Sequence, residues 1–305
     1  MSVLVVGSVA YDGIETPAGK VDKTLGGSAT HISLASSYLS EDVRLLATVG
    51  KDFAQEDIDK FKNRGINLDG FNVDENERTF FWRGRYHDDL NTRDTLETQL
   101  NVIEKFDPVV PESIKGSRYI CLGNLDPINQ KKVLDQVSSP QLSIGDTMNF
   151  WIEGMNKELK ETISKLDCLI VNDEEARQLT EKNNLIEAAE VIGKMGPSIV
   201  IIKKGEHGAM LFTDDGFFTA PGLPLREIKD PTGAGDSFLG GFAGWLSKTD
   251  NHSFDNLKRA VIYGSVMASF CVEDFGPQRF ENISPHSITD RYDEFRKIAS
   301  VPASS

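Results

Sequence analysis

Lys229-Asp-Pro-Thr-Gly-Ala-Gly-Asp-Ser-Phe238 is the densest chemical signal in the chain. Gly233-Ala234-Gly235 permits a tight backbone turn with few side-chain atoms in the way. Phe238, Phe242 and Trp245 follow at helical spacing, so the turn opens a helix whose free N–H groups point outward. Unpaired amides and the positive end of the helix dipole together make an anion site. Asp236 stands in the first turn of that helix. A carboxylate there is ordinary helix chemistry, worth about 0.3–1 kcal/mol. Beside an anion cradle it can also take a proton from a hydroxyl that attacks a phosphoryl group.

Outward from this stretch, strand-like and helix-like segments alternate. Two long helices are expected near 234–246 and 254–271, and a last one near 287–298 precedes a frayed tail at 299–305. Upstream, Ser198–Ile202, Cys168–Val171, Leu142–Gly145 and Tyr119–Leu122 read as buried strands, with helical patterns near 128–137, 155–166 and 185–195. Ala209–Phe212 and Phe217–Ala220 flank the turn Thr213-Asp-Asp-Gly216 and form a hairpin. At the start, Val3–Val6 is a strand, and Ser28 is placed to cap a helix carrying Ile32, Ala35 and Leu39. Leu45–Val49 is another strand, and Asp52 is placed to cap a helix that Gly65 ends. The stretch 72–102, rich in aromatics and charge, reads in part as β-structure outside the main sheet. The pattern predicts an α/β fold with a mainly parallel sheet covered on both faces and ligands at the carboxyl ends of its strands.

Composition narrows the function. Of 305 residues, 39% are apolar and 26% charged, which suits a folded globular chain. The formal charge of −14 disfavours nucleic acid and anionic lipid as partners, though not one local pocket for a small anion. No apolar run approaches the roughly 20 residues that span a bilayer. Met1–Gly7 lacks a basic n-region and reads as a strand, not a signal peptide. Cys121, Cys168 and Cys271 are scattered and odd in number, so they read as buried free thiols in a reducing cytoplasm.

The stretch Asp230-Pro-Thr-Gly-Ala-Gly-Asp236 resembles the signature of the ribokinase-like (PfkB) family of carbohydrate and nucleoside kinases. Weaker features follow in the family's order over most of the chain. The resemblance implies one kinase domain over 1–305, a three-layer α/β/α sandwich with a small β lid from about 12–25 and 72–102. It implies that Asp236 is the catalytic base, that Gly233, Ala234 and Gly235 form the anion hole, and that Asp230 and Thr232 help bind a monovalent cation, often potassium in the family. Asp12 matches the family's binder of substrate hydroxyls, a task a carboxylate performs well. Read alone, it is better taken as a loop aspartate capping a turn. Gly26-Gly27 resembles the glycine pair against the substrate. Asn172 and Glu175 match the Asn-x-x-Glu motif that orients magnesium and phosphate through water; alone they read as an acidic first helical turn. Lys203, Gly205 and Gly208 resemble the loop along the nucleotide, and Gly276 the late loop near adenine. In the lid stretch Arg83 is assigned to the substrate, with Arg85, Asn91 and Arg93 as further polar candidates and Phe80, Trp82 or Tyr86 to stack on a ring. The same aromatics also suit a lid core or a dimer contact.

Competing folds fail on spacing. No Gly-x-x-x-x-Gly-Lys-Ser/Thr occurs, Gly7-Ser-Val-Ala lacks the dinucleotide fingerprint, and the protein-kinase motif set is missing. The expectation is an ATP- and Mg2+-dependent kinase acting on a hydroxyl of a small sugar or sugar-like molecule. A nucleoside kinase and a catalytically silent ligand-binding member are the alternatives. A homodimer through the lid and a cytoplasmic location complete the expectation.

Overall fold

The computed structural model describes residues 1–300; the sequence-expected tail beyond Ser300 lies outside the described residues. Strands β1 (Ser2–Val6), β4 (Asp42–Gly50), β5 (Asn67–Asp74), β8 (Tyr119–Leu122), β9 (Leu142–Gly145), β10 (Cys168–Asn172) and β11 (Ile199–Lys203) run parallel in one sheet. A hairpin of β12 (Ala209–Thr213) and β13 (Gly216–Ala220) extends its edge antiparallel, giving the order β13-β12-β11-β10-β9-β8-β1-β4-β5. Strand order reverses between β1 and β8. Crossovers leave that point in both directions, and a crevice opens there at the carboxyl ends.

The parallel strands are apolar on both sides, as a doubly covered sheet requires. On one face Val3, Val5, Leu45 and Ile170 pack against Ile32 of α1 (Ser28–Ser36), Phe61 of α2 (Gln55–Asn63), Phe242 of α8 (Ala234–Thr249), Val261 of α9 (Phe254–Cys271) and Phe295 of α10 (Pro285–Ala299). On the other, Leu4, Val6, Ile120 and Val171 meet Val133 of α3 (Pro127–Leu134), Ile152 of α4 (Asn149–Gly154), Leu159 of α5 (Asn156–Ile163), Ala176 of α6 (Asp173–Thr180) and Ile192 of α7 (Leu185–Met195). The two cores lie on opposite sides of the sheet and make the three-layer sandwich expected from the sequence. No helix among the described residues is long and apolar enough to cross a membrane. The three cysteines are free and buried.

A second, four-stranded sheet stands over the crevice. It is built from β2 (Ala10–Thr16), β3 (Gly19–Gly26), β6 (Phe81–Tyr86) and β7 (Arg93–Gln99) in the order β3-β2-β6-β7. This corrects the expected lid boundary: residues 72–74 end strand β5 of the main sheet, and the lid takes 10–26 and 81–99.

Two caps are also corrected. Ser28 is not the N-cap of α1; Gly27 is, with φ 93°, and Ser28 Oγ instead accepts from the Ser8 amide at 3.2 Å. Asp52 lies too far ahead of α2, whose N-cap is Ala54. Its carboxylate accepts from the Thr79 amide at 2.7 Å and so ties β4 to the entry of the lid.

Candidate active site

The loop before α8 is held from beneath. Asp230, fully buried, accepts from the Thr232 amide at 2.8 Å and from the Gly276 amide at 2.9 Å. One carboxylate thus clamps the start of the glycine turn to the loop after α9. Gly276, at φ 55°, leaves no room for a Cβ against the Leu25 carbonyl of β3, so the same clamp reaches the lid. Burial, only partly offset by those amides, raises the Asp230 pKa.

Gly233 caps α8 at φ 76°, a conformation that favours glycine. A Cβ there would overlap the ring of His31, buried on α1. His31 Nδ1 lies 3.6 Å from Cys271 Sγ, which lies 3.4 Å from the Thr232 carbonyl; among the described residues Nε2 has no partner. Burial drops its pKa to about 4, so the post under the turn is a neutral imidazole.

Asp236 follows in the first turn of α8. Burial first, then the charge of Asp146, push its carboxyl up to about 7, against the opposing pull of Lys203 and Arg93. Lys203 ends β11, and a Cβ on Gly235 would lie only 2.7 Å from its Nζ. The ammonium therefore sits under the glycine turn because residue 235 has no side chain. It is 3.8 Å from Asp146 Oδ2. Burial pulls the Lys203 pKa down, but Asp146, Glu175 and Asp236 outweigh it and the net shift is upward.

Asp146 was not singled out in the sequence. It directly follows β9, is 8% exposed, and has a pKa raised by burial against Lys203. The available signal was positional: an acid just past the carboxyl end of a buried parallel strand. Asn172 and Glu175 form a reciprocal cap on α6. Asn172 Oδ1 accepts from the Glu175 amide at 2.7 Å, and Glu175 Oε2 accepts from the Asn172 amide at 2.8 Å. The motif is a helix cap, as its acidic first turn suggests, and the cap fixes the orientation of the Glu175 carboxylate. Burial and then Asp146 push Glu175 up to about 7.

On the lid, Asp12 lies within β2, not in a loop, and is 5% exposed. Its carboxylate occupies the space a Cβ on Gly26 would need, which explains the glycine. Burial and Asp230 push it up to about 7. Tyr86 of β6 shares that face and accepts from Thr232 Oγ1 at 3.1 Å, joining the lid to the glycine turn. Gly205 abuts Asn91 at the lid tip, whose Nδ2 donates to Glu206 at 2.9 Å. Gly208 serves the backbone: φ is 88° and a Cβ would strike the Ala220 carbonyl.

Arg83 is a correction. It lies on the outer face of the lid, against Gly13, and pairs with Asp22 at 3.3 Å and Glu97 at 3.6 Å. Asp12, its neighbour across the alternation, is on the inner face. The inner face carries Trp82, Tyr86 and, by register with Tyr86, Arg93.

The site thus brings together five carboxylates, four buried and Asp236 partly so, with one ammonium and an amide turn under the second sheet. So many carboxylates around one ammonium are out of electrostatic balance unless cations or bound protons offset them. Among the described residues no group of three or more His, Cys, Asp or Glu is arranged to grip a metal directly. Asp146 and Glu175 fit a magnesium that keeps its water shell.

Comparison with known proteins gives the family and the fold. The model of the pfkB family carbohydrate kinases matches residues 1–283. A cytidine kinase of Thermococcus kodakarensis is 25% identical over 81% of this chain and 89% of its own length. A nucleoside kinase of Methanothermobacter thermautotrophicus is 26% identical over 90% of this chain and 91% of its own. Among solved structures, the Methanocaldococcus jannaschii nucleoside kinase superposes with a TM-score of 0.78 at 22% identity, covering 96% of this chain and 99% of that one. A putative ribokinase II of E. coli, solved with ATP and Mg2+, gives 0.79 at 18% identity, covering 96% and 99%.

Proposed function

As a member of the pfkB family of carbohydrate kinases the chain is a phosphotransferase acting on hydroxyl groups, and we propose that it moves the γ-phosphoryl group of ATP to a sugar hydroxyl with Asp236 as general base. The observation that carries the reading is the position of a partly buried carboxylate, its pKa raised, in the first turn of the helix whose opening amides offer an anion cradle. Asp236 accepts the proton of the acceptor hydroxyl as its oxygen bonds to the γ-phosphorus. The bond from that phosphorus to the bridging oxygen breaks, and its electron pair leaves with ADP. The amides of Gly233, Ala234 and Gly235 hold the equatorial oxygens, and Lys203 under Gly235 offsets their charge. Asp12 orients the acceptor by taking hydrogen bonds from its hydroxyls. Glu175 and Asp146 would hold hydrated magnesium, which supplies charge neutralisation on the phosphates. Asp230 and Thr232 would hold potassium, and a second copy would pair through the outer face of the lid.

A nucleoside is the second reading for the acceptor. Trp82 lies flat over Gly84 on the inner face of the lid, donating from Nε1 to Thr95 at 3.3 Å, and offers a ring to stack on a base. The cytidine and nucleoside kinases among the relatives favour it. Incubation with ATP, Mg2+, K+ and a panel of sugars, polyols and nucleosides, read by ADP release and product mass, tests both. Turnover of free sugars with none of nucleosides removes the second reading. Saturable ligand binding with no ADP release across the panel removes the kinase reading.

A further inference from the structure

Cross-strand register places Arg93 opposite Tyr86, and paired residues of neighbouring strands share a face. Tyr86 is 7% exposed and bonded to Thr232 of the glycine turn, so that face of the lid is pressed onto the phosphoryl-transfer loop. Two residues before Arg93, Asn91 reaches the other wall through Glu206 and Gly205. Arg93 therefore hangs between the loop that opens α8 and the loop that follows β11.

The other lid arginines are on the outer face and already matched, Arg83 with Asp22 and Glu97 and Arg85 with Glu15 at 3.0 Å. Arg93 makes no ion pair among the described residues, although the chain carries a formal charge of −14. Its field reaches inward, lowering the pKa of Asp236, Glu175 and Tyr86 against the larger effect of burial. An unmatched guanidinium facing a cradle for phosphate oxygens has a planar fork suited to two of those oxygens at once.

We propose that Arg93 is a catalytic residue carried by the lid, its guanidinium contacting the γ-phosphoryl oxygens of ATP once Tyr86 and Asn91 have docked. The proposal rests on the kinase reading above. It assigns no proton to Arg93, which stays charged throughout. As the γ-phosphorus passes from the bridging oxygen to the acceptor oxygen, Arg93 neutralises charge that the amides and Lys203 meet from below. Lid docking and phosphoryl stabilisation thereby become one event, so that an open lid leaves ATP unhydrolysed.

The test is Arg93→Ala and Arg93→Lys in the full chain. Nucleotide affinity is measured by calorimetry with Mg-ATP and Mg-ADP separately, and turnover with the best acceptor from the panel. Arg93 is exposed in the structure, so both variants are expected to fold with an unchanged melting temperature. Arg93→Ala is expected to lose at least about fivefold in ATP affinity with ADP affinity unchanged, and about 10³-fold in kcat, the low end of the scale for arginines on a transferring phosphoryl group. Lys is expected to restore part of the kcat, as a point charge without the fork. Equal ATP and ADP affinities to wild type, or kcat within twofold of it, overturns the proposal. If the wild-type protein turns over nothing, the kinase reading falls. The ATP-against-ADP comparison still decides whether Arg93 meets the terminal phosphate.

Discussion

Replacing Asp236 by Asn removes a charge the fold holds at a cost, so it should abolish turnover and stabilise the ligand-free protein at the same time. The carboxyl titrates near 3.8 in the unfolded chain and near 7 in the folded one. A shift of that size corresponds to about 4 kcal/mol between the two protonation states. Because the folded state binds the extra proton between those two values, this residue's contribution to wild-type stability is greatest at low pH. It falls as pH rises from about 4 through about 7. Lys203 shares the field and loses one partner in the variant, so the net gain at pH 8 should be about 1–3 kcal/mol. That is a rise in Tm of roughly 2–8 °C for a chain of this size. At pH 4.5 the gain should shrink toward zero. Thermal melts of both proteins across pH 4.5–8, without nucleotide, measure it, alongside kcat, expected to fall by about 10²–10⁴. A variant equally or less stable than wild type at pH 8, or one retaining a tenth of the turnover, would refute the assignment of a base held ionised at a cost.

The kcat/KM for the acceptor should rise with pH and level off above about 7, since Asp236 must be unprotonated in the free enzyme and titrates there; a flat profile from pH 5.5 to 8 would contradict it. Gly233→Ala should lower Tm and activity together, because the new methyl overlaps His31 and φ is 76°; unchanged melting would show that the turn tolerates a side chain. Gly235→Ala meets only the movable end of Lys203, at 2.7 Å, so it should leave Tm within a few degrees while lowering kcat at least tenfold. Lys203→Met leaves Asp146, Glu175 and Asp236 without their ammonium, and should raise the apparent pKa in the kcat/KM profile; a profile unmoved from wild type would separate Lys203 from the cluster.

The layered sheet was legible because parallel strands buried on both faces are short apolar runs, as in Cys168–Asn172 and Ile199–Lys203. The glycine turn was legible because Gly233 and Asp236 have backbone and charge requirements that few other settings impose. The lid was harder. Its strands alternate charged and aromatic residues on two faces, and the pairing shifts register between Arg83 and Gly84. Which arginine lies on the inner face is set by that bulge, which no local pattern announces, so the sequence singles out Arg83 where the register puts Arg93 on that face. Ser28 and Asp52 misled for a related reason. Each is a good cap by type, but each bonds to a distant segment, Ser8 and Thr79, which sequence spacing does not reveal. Asp146 needed the sheet order itself, because only the crossover brings the end of β9 beside Lys203.

The account stands most directly on where the terminal phosphate of ATP lodges. A crystal structure with a non-hydrolysable ATP analogue and Mg2+ should place the γ-phosphate against the amides of Gly233–Gly235, with a carboxylate oxygen of Asp236 facing the side from which an acceptor attacks. A γ-phosphate bound elsewhere in the crevice, with Asp236 turned away from it, would contradict the account.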